Sequence, residues 1–157
     1  MKFDKLTLKA QEALATAQQL AMARSNTVLS PLHLLSALLS DEQGVASMII
    51  NKIGGNLARI KDMTDGEIRR LPVGRSEGNQ ILPDPSFNSV VLDAQNRADS
   101  MGDEYLSVEH LLMSLAEVKS DAKEILSVNS ITAEQIQAVL KSIRGSEKIT
   151  DANPEDK

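Results

Sequence analysis

The stretches "SPLHLLSALL", Ser30 to Leu39, and "SVEHLLMSLA", Ser107 to Ala116, lie 77 residues apart and carry Ser, His, Leu, Leu and Leu at the same offsets. Ser30 and Pro31 combine a hydroxyl N-cap with a ring whose fixed φ suits the first helical position, so the first stretch opens a helix. Leu32, Leu34, Leu35, Leu38 and Leu39 cover most of its circumference, which places it in the middle of a bundle. The second stretch repeats that pattern.

Outward from each stretch the duplication continues. Thr7 is a good N-cap, and Ala10, Ala13, Leu14, Ala17 and Ala21 follow at three-and-four spacing, predicting a helix from about Thr7 to Arg24. Phe87, Val90, Val91, Ala94, Ala98 and Met101 repeat that core stripe 77 residues on, without a gap. "VASMIINKIGG" reads as a short third helix stopped by Gly54 and Gly55, and "NLARIKDMTDGEIRRL" as a fourth, capped by Asn56 and ended by Pro72. "PVGRSEGNQILPDPS", Pro72 to Ser86, reads as a connecting loop. "DAKEILSV" is a short seventh helix, and Thr132 with Gln135 forms a capping box for an eighth, ended by Gly145. The tail from Gly145 to Lys157 has no apolar periodicity and reads as a linker or a disordered segment.

A unit of about 60 residues buries only about 60% of the surface its unfolded chain exposes and is marginal alone. The expectation is therefore one compact all-α domain of about eight helices in two pseudo-symmetric four-helix repeats. Its parts are repeat one over 1–71, a loop over 72–86, repeat two over 87–145 and a linker over 146–157.

Composition narrows the function. Zero Cys removes thiol chemistry and cysteine-ligated zinc and suits a reducing cytoplasm. Net charge is −5, the densest basic run is Arg69-Arg70, and Phe3, Phe87 and Tyr105 are the whole aromatic complement, so nucleic acid is not expected as a partner. No apolar run reaches membrane length, so no membrane partner is expected. No G-x-x-x-x-G-K-[ST] occurs, so nucleotide hydrolysis by these residues is not expected. An EF-hand alignment on "KDMTDGEIRRLP" fails, because it puts Lys61, Met63 and Pro72 where oxygen ligands are required.

His33 and His110 are the only histidines. They could form a split metal or substrate site, the remote reading of a small metal-dependent enzyme. Duplication points instead to one structural duty performed twice, each ring satisfying a loop or a neighbouring helix end. A metal would also lack an H-x-x-x-H or H-E-x-x-H pair. Ser30 and Ser107 precede the rings by three residues, but both sit at N-cap positions. No catalytic or metal residues are assigned. A second apolar stripe on the first helix, Leu8, Ala15 and Met22, and Leu92 on the fifth, lie off the core face; they serve either contact between the halves or an exposed groove.

The opening "F-D-K-L-T-x-K-A-Q-E-A-L", the doubled "S-P-L-H-L-L-S-A-L-L" and "S-V-E-H-L-L-M-S-L-A", and the entry "G-D-E-Y-L-S-V-E-H" together resemble the Clp N-terminal repeat domain over residues 1 to about 145. The tail "RGSEKITDANPEDK" is similar to the joint leading into the first ATPase module of ClpB-type AAA+ chaperones. That favours a disaggregase over the alternative of an adaptor-docking domain of a ClpA- or ClpC-type protease unfoldase. The resemblance implies an N-terminal domain that engages unfolded or aggregated polypeptide clients through a weak apolar surface. It implies a cytoplasmic hexamer using ATP and Mg in the full-length protein, cooperating with a DnaK-type chaperone system, while the isolated domain is a monomer with no cofactor. By the same resemblance Thr7, Asp103 and Glu109 are polar substrate-binding residues, with Val91 and Leu92 as the apolar part. Read from the residues alone, Thr7 and Glu109 occupy helix first turns, Asp103 a turn, and Val91 the core stripe.

Overall fold

The computed structural model describes residues 5–74, 81–145 and 147–152. Within them run α1 (Leu8–Ala23), β1 (Val28–Leu29), α2 (Pro31–Ser40), α3 (Val45–Ile53), α4 (Leu57–Arg69), β2 (Leu82–Pro83), α5 (Pro85–Ser100), α6 (Val108–Glu117), α7 (Asp121–Val128) and α8 (Ala133–Arg144). Side-chain caps set the helix starts. Thr7 Oγ1 accepts the Ala10 N–H at 3.1 Å, and Ser30 Oγ accepts that of Leu32 at 3.1 Å. Thr132 and Gln135 form the expected reciprocal box.

The segment expected as loop to Ser86 is more ordered at its end. Asp84 Oδ1 takes the Ser86 N–H at 2.8 Å and Pro85 fills the first helical position, so α5 opens two residues before Phe87. This Asp-Pro is an opener of the same kind as Ser30-Pro31, although the same dipeptide also carries a turn signal. Just upstream, Leu82 and Pro83 pair in parallel with Val28 and Leu29. Residues 75–80 of that loop lie outside the described residues.

The halves answer each other element by element. Helix α1 packs on α2 as α5 packs on α6, and α2 meets α4 as α6 meets α8. Across the middle, α2 touches α6, and α3·α8 is matched by α4·α7. The backbone repeats the relation. The Thr7 N–H donates to the Leu106 carbonyl at 3.0 Å, and 77 residues along each chain segment the Asp84 N–H donates to the Leu29 carbonyl at 2.8 Å. One core joins both halves: Leu34, Leu35, Leu111 and Leu112 are completely buried in a single cluster. The alanine stripe of α1, Ala10, Ala13, Ala17 and Ala21, is also buried, because small side chains let α1 lie close against α2.

The second stripe does not pack between the halves. Leu8 is 47% and Met22 51% exposed, and Ala15 faces outward with them. Periodicity identifies an apolar face but not what covers it.

One buried group breaks the general rule of satisfied polarity: Ser114 Oγ on α6 has no hydrogen-bond partner among the described residues. The equivalent residue of repeat one is Ala37. Ser114→Ala should leave the free energy of unfolding in urea unchanged or raise it by about 1 kcal/mol, since a hydroxyl without a partner is removed. A loss greater than that would mean the hydroxyl is satisfied.

Candidate functional site

Two distinct clusters account for the residues of interest. The first is polar and buried. The Ser30 N–H donates to His33 Nδ1 at 3.0 Å, and His33 Nε2 meets Asn26 Oδ1 at 2.8 Å. In repeat two the Ser107 N–H donates to His110 Nδ1 at 2.9 Å, and His110 Nε2 meets Asp103 Oδ2 at 2.8 Å. Each ring is thus the third-position member of a capping box. Because Nδ1 accepts a backbone N–H, the neutral ring carries its proton on Nε2 and donates it to Asn26 or Asp103. Burial holds His33 down at about 4 and also lowers His110, against the opposing pull of Asp103. The duplicated structural duty is what the rings perform. Among the described residues no three metal-ligating side chains gather.

Ser107, His110 and Asp103 resemble a nucleophile relay, with Ser107 Oγ 3.1 Å from His110 Nδ1. The arrangement leaves no site for a substrate. Ser107 and His110 are fully buried, Nδ1 is already occupied by the cap N–H, and the Ser107 hydroxyl donates to Glu109 Oε1 at 3.0 Å.

Asp103 ties this cluster to the tail. Its Oδ1 accepts Arg144 Nη1 at 3.1 Å and the Ile149 N–H at 2.8 Å, while its Oδ2 accepts Arg144 Nη2 at 2.8 Å. Burial pushes the carboxyl upward, but Arg144, the Ile149 N–H and His110 outweigh it and hold the group below its ordinary range. Arg144 Nε also lies 3.9 Å from Glu109 Oε2. Beyond Arg144 the chain does not leave at once. Ile149 is buried, its carbonyl accepts the Glu104 N–H at 2.8 Å, and the Ala152 carbonyl accepts the Leu8 N–H at 2.8 Å, beside Thr7. A linker reading alone does not anticipate that anchoring.

The repeat explains it. Ile149 is the counterpart of Pro72, whose carbonyl accepts the Thr27 N–H at 3.2 Å as Ile149 accepts that of Glu104. Proline has no N–H to give, so repeat one places an amide, Asn26, which donates to the Pro72 carbonyl at 3.3 Å. Isoleucine does have one, and repeat two places a carboxylate to receive it.

The second cluster is an apolar groove of about 530 Å³ between α1 and α5, lined by Leu14, Gln18, Pro83, Phe87, Asn88, Val91, Leu92 and Gln95. None of these side chains is charged. Val91 is half-buried, packed against the core on one side and facing the groove on the other, and Leu92 is 63% exposed. Another concavity, between α1 and the turn from α2 to α3, is lined in part by Lys9, Glu12 and Asp41 and is the more polar of the two.

The proposed site residues therefore separate. Val91 and Leu92 share the groove. Asp103 and Glu109 are buried around Arg144, and Thr7, also buried, adjoins them through its backbone bond to Leu106. Sequence periodicity places Phe87 in the core, where it is buried, and Leu14 there too, although Leu14 is only partly buried; it does not single out Gln18, Pro83, Asn88 or Gln95. The available signal was size: among the small residues of the α1 stripe, Leu14 is the one long enough to reach past the helix flank.

Comparison with known proteins agrees with this geometry. The pattern of the Clp repeat (R) N-terminal domain matches residues 5–129. The chain is 34% identical over 159 residues to the chaperone protein ClpB of Propionibacterium freudenreichii, covering 99% of this chain and 18% of that relative. Its fold is similar to the Hsp104 N-terminal domain from Candida albicans, with a TM-score of 0.85, 20% identity, and coverage of 96% and 99% of the two chains. It is also similar to a ClpV N-domain solved as a complex with a VipB peptide, with a TM-score of 0.70, 15% identity, and coverage of 97% and 91%.

Two predictions concern the polar cluster. Asp103→Asn keeps the shape but turns donor hydrogens toward Arg144; the Ile149 and Glu104 amides should exchange with solvent at least tenfold faster, and unchanged exchange would show that the carboxylate does not hold the tail. His33 has a lowered folded value, so between about 6.5 and about 4 the unfolded chain binds more protons and stability falls as pH falls. His33→Gln, which copies the Thr132–Gln135 box, should flatten part of that decline in urea titrations across the window; an equally steep decline would show that another group drives it.

Proposed function

The chain belongs to the Clp repeat N-terminal domain family, the family of the N-terminal domains of ClpB- and Hsp104-type chaperones, and on that premise we propose that it is the client-binding module of a ClpB-like disaggregase. The supporting observation is the uncharged groove between α1 and α5, with Leu92 exposed at its edge. A solvent-facing leucine beside half-buried Leu14 and Val91 is apolar surface that a bound segment could remove from water. The peptide-bound ClpV N-domain supports the reading, because a related fold accommodates a peptide.

Magnitudes set the mode of binding. Burying about 300 Å² of apolar surface at roughly 25 cal/mol per Å² is worth about 7 kcal/mol before the client's ordering cost, so affinity is micromolar or weaker. Weak, shape-tolerant contact suits clients that have only exposed apolar residues in common. The chain spans 18% of the length of its ClpB relative. In this reading ATP hydrolysis with Mg, hexamer formation, cooperation with a DnaK-type system and a cytoplasmic location belong to the whole protein. Six linked copies would raise the effective concentration of weak sites. Thr7, Asp103 and Glu109 then act indirectly, by holding the corner where the tail is pinned, while Val91 and Leu92 meet the client.

Leu92→Glu places a charge in the neutral groove at a position whose exposure makes it inexpensive for folding. Anisotropy with a labelled, permanently unfolded polypeptide should show at least fivefold weaker binding, with the melting temperature within about 2 °C of the parent. Undiminished binding by the variant would reject the groove as the client site.

A further inference from the structure

The groove has an internal relation that its lining makes visible. Leu14 and Val91 are equivalent positions of the two repeats, as are Gln18 and Gln95, and all four line the same groove. A concavity lined by both members of equivalent pairs sits on the pseudo-two-fold axis relating the repeats. Rotation about that axis carries much of the lining onto itself: a half-buried aliphatic onto another, a primary amide onto another.

A peptide backbone has a direction, and a binding surface reads it only by presenting donors and acceptors in a fixed order. Strand edges do this, which is why added strands bind in one sense. Here the chain nearest to such an edge is β2, and Pro83, its groove-lining residue, has no N–H to offer. The remaining polar lining groups are the side-chain amides of Gln18, Asn88 and Gln95, each of which carries both a donor and an acceptor; Gln18 and Asn88 can turn to present either, while Gln95 Nε2 donates to the exposed Asp99 Oδ1 at 3.4 Å and leaves its own oxygen free to accept. The lining also holds no charge that would select one terminus of a peptide over the other.

From this we infer that the groove accepts an extended, uncharged apolar peptide segment in both chain directions. The inference rests on the groove being the client site. It also identifies what breaks the equivalence: Leu92 stands where repeat one has Ala15, Phe87 where it has Ala10, Pro83 where it has Leu6, and Asn88 where it has another amide, Gln11. Leu92 and Phe87 are larger than the alanines they stand for, Pro83 is apolar like Leu6, and the polar exchange keeps an amide, so they change the shape of the groove on the α5 side without introducing a charge that distinguishes N from C. The two orientations should therefore be populated within about tenfold of each other. For a disaggregation module the consequence is direct, since an aggregate presents its exposed segments in no set direction.

The absence of cysteine makes the test clean. Gln19 and Asn96 are exposed, equivalent positions next to Gln18 and Gln95. Gln19→Cys and Asn96→Cys are prepared separately and mixed with capped peptides of about ten residues, alternating Leu and Ser, each bearing one activated Cys at either the N- or the C-terminal end. Formation of the mixed disulfide is followed by mass spectrometry. Both variants should trap both peptides, at rates within about tenfold. Trapping of the N-terminal probe by one variant and of the C-terminal probe by the other alone would overturn the bidirectional groove. So would peptide binding by anisotropy with no trapping at either position. Adding Leu92→Glu separates this from the parent reading: trapping that survives it unchanged rejects the groove as the client site, whatever the pattern of ends.

Discussion

Neither repeat can bury its own central helix. Helices α2 and α6 are apolar nearly all round, and a single four-helix unit of this size has too little surrounding structure to shield such a helix from water. Each repeat therefore completes the other's core, with α2 against α6 and the third helix of each half reaching across to the last helix of the other. The rest of the molecule follows from that requirement, including the placing of both imidazoles in a fully buried layer.

Burying a histidine at the third position of such a helix imposes local conditions, and the two repeats meet them differently. Both rings accept the N-cap amide and donate from Nε2. In repeat one the receiving group is the neutral Asn26, adjacent to a proline carbonyl; in repeat two it is Asp103, which serves a histidine, an arginine and the backbone of Ile149. Changing Pro to Ile at one end of the contact accompanies changing Asn to Asp at the other, because a new N–H needs an acceptor. A carboxylate buried there needs a cation as well, and Arg144 supplies it. The charged version of the corner thus holds the segment that follows the last helix, while its neutral version holds the segment that joins the repeats.

Where α1 and α5 face each other the two repeats do not close completely, and the groove opens there. Small residues on α1 let it settle onto α2, so Leu14 and Gln18 are left at its flank opposite Val91 and Gln95. Groove and pseudo-symmetry therefore have one origin. The exposed Leu92 is a departure from the repeat, since its counterpart is only an alanine, and it adds apolar area to a surface that packing alone would have left flatter.

Much of this was legible in the residues. The offset of 77, the Ser-Pro and Thr-x-x-Gln caps and the leucine-rich stretches carry the helix count, the duplication and the buried position of both rings, because caps and periodicity are local and short-range physics decides them. The start of α5 was not, since Asp84-Pro85 carries the same local signal as a turn and a helix opening. Nor was the anchoring of Ile149, whose partner Asp103 lies 46 residues away and whose neighbours in sequence show no periodicity. Stripes on α1 and α5 told which residues are apolar; only the angle at which those helices meet the others decided that Leu8 and Met22 face water, that Leu14 and Val91 are shared between core and groove, and that Thr7, Asp103 and Glu109 lie inside. The amino-acid sequence by itself determined a doubled helical unit that must pair with itself, since hydrophobic pattern and capping act within a turn or two. Which surfaces remained open after that pairing was settled by the tertiary structure alone, because exposure depends on what packs across from a residue and not on the residue's own neighbours in the chain.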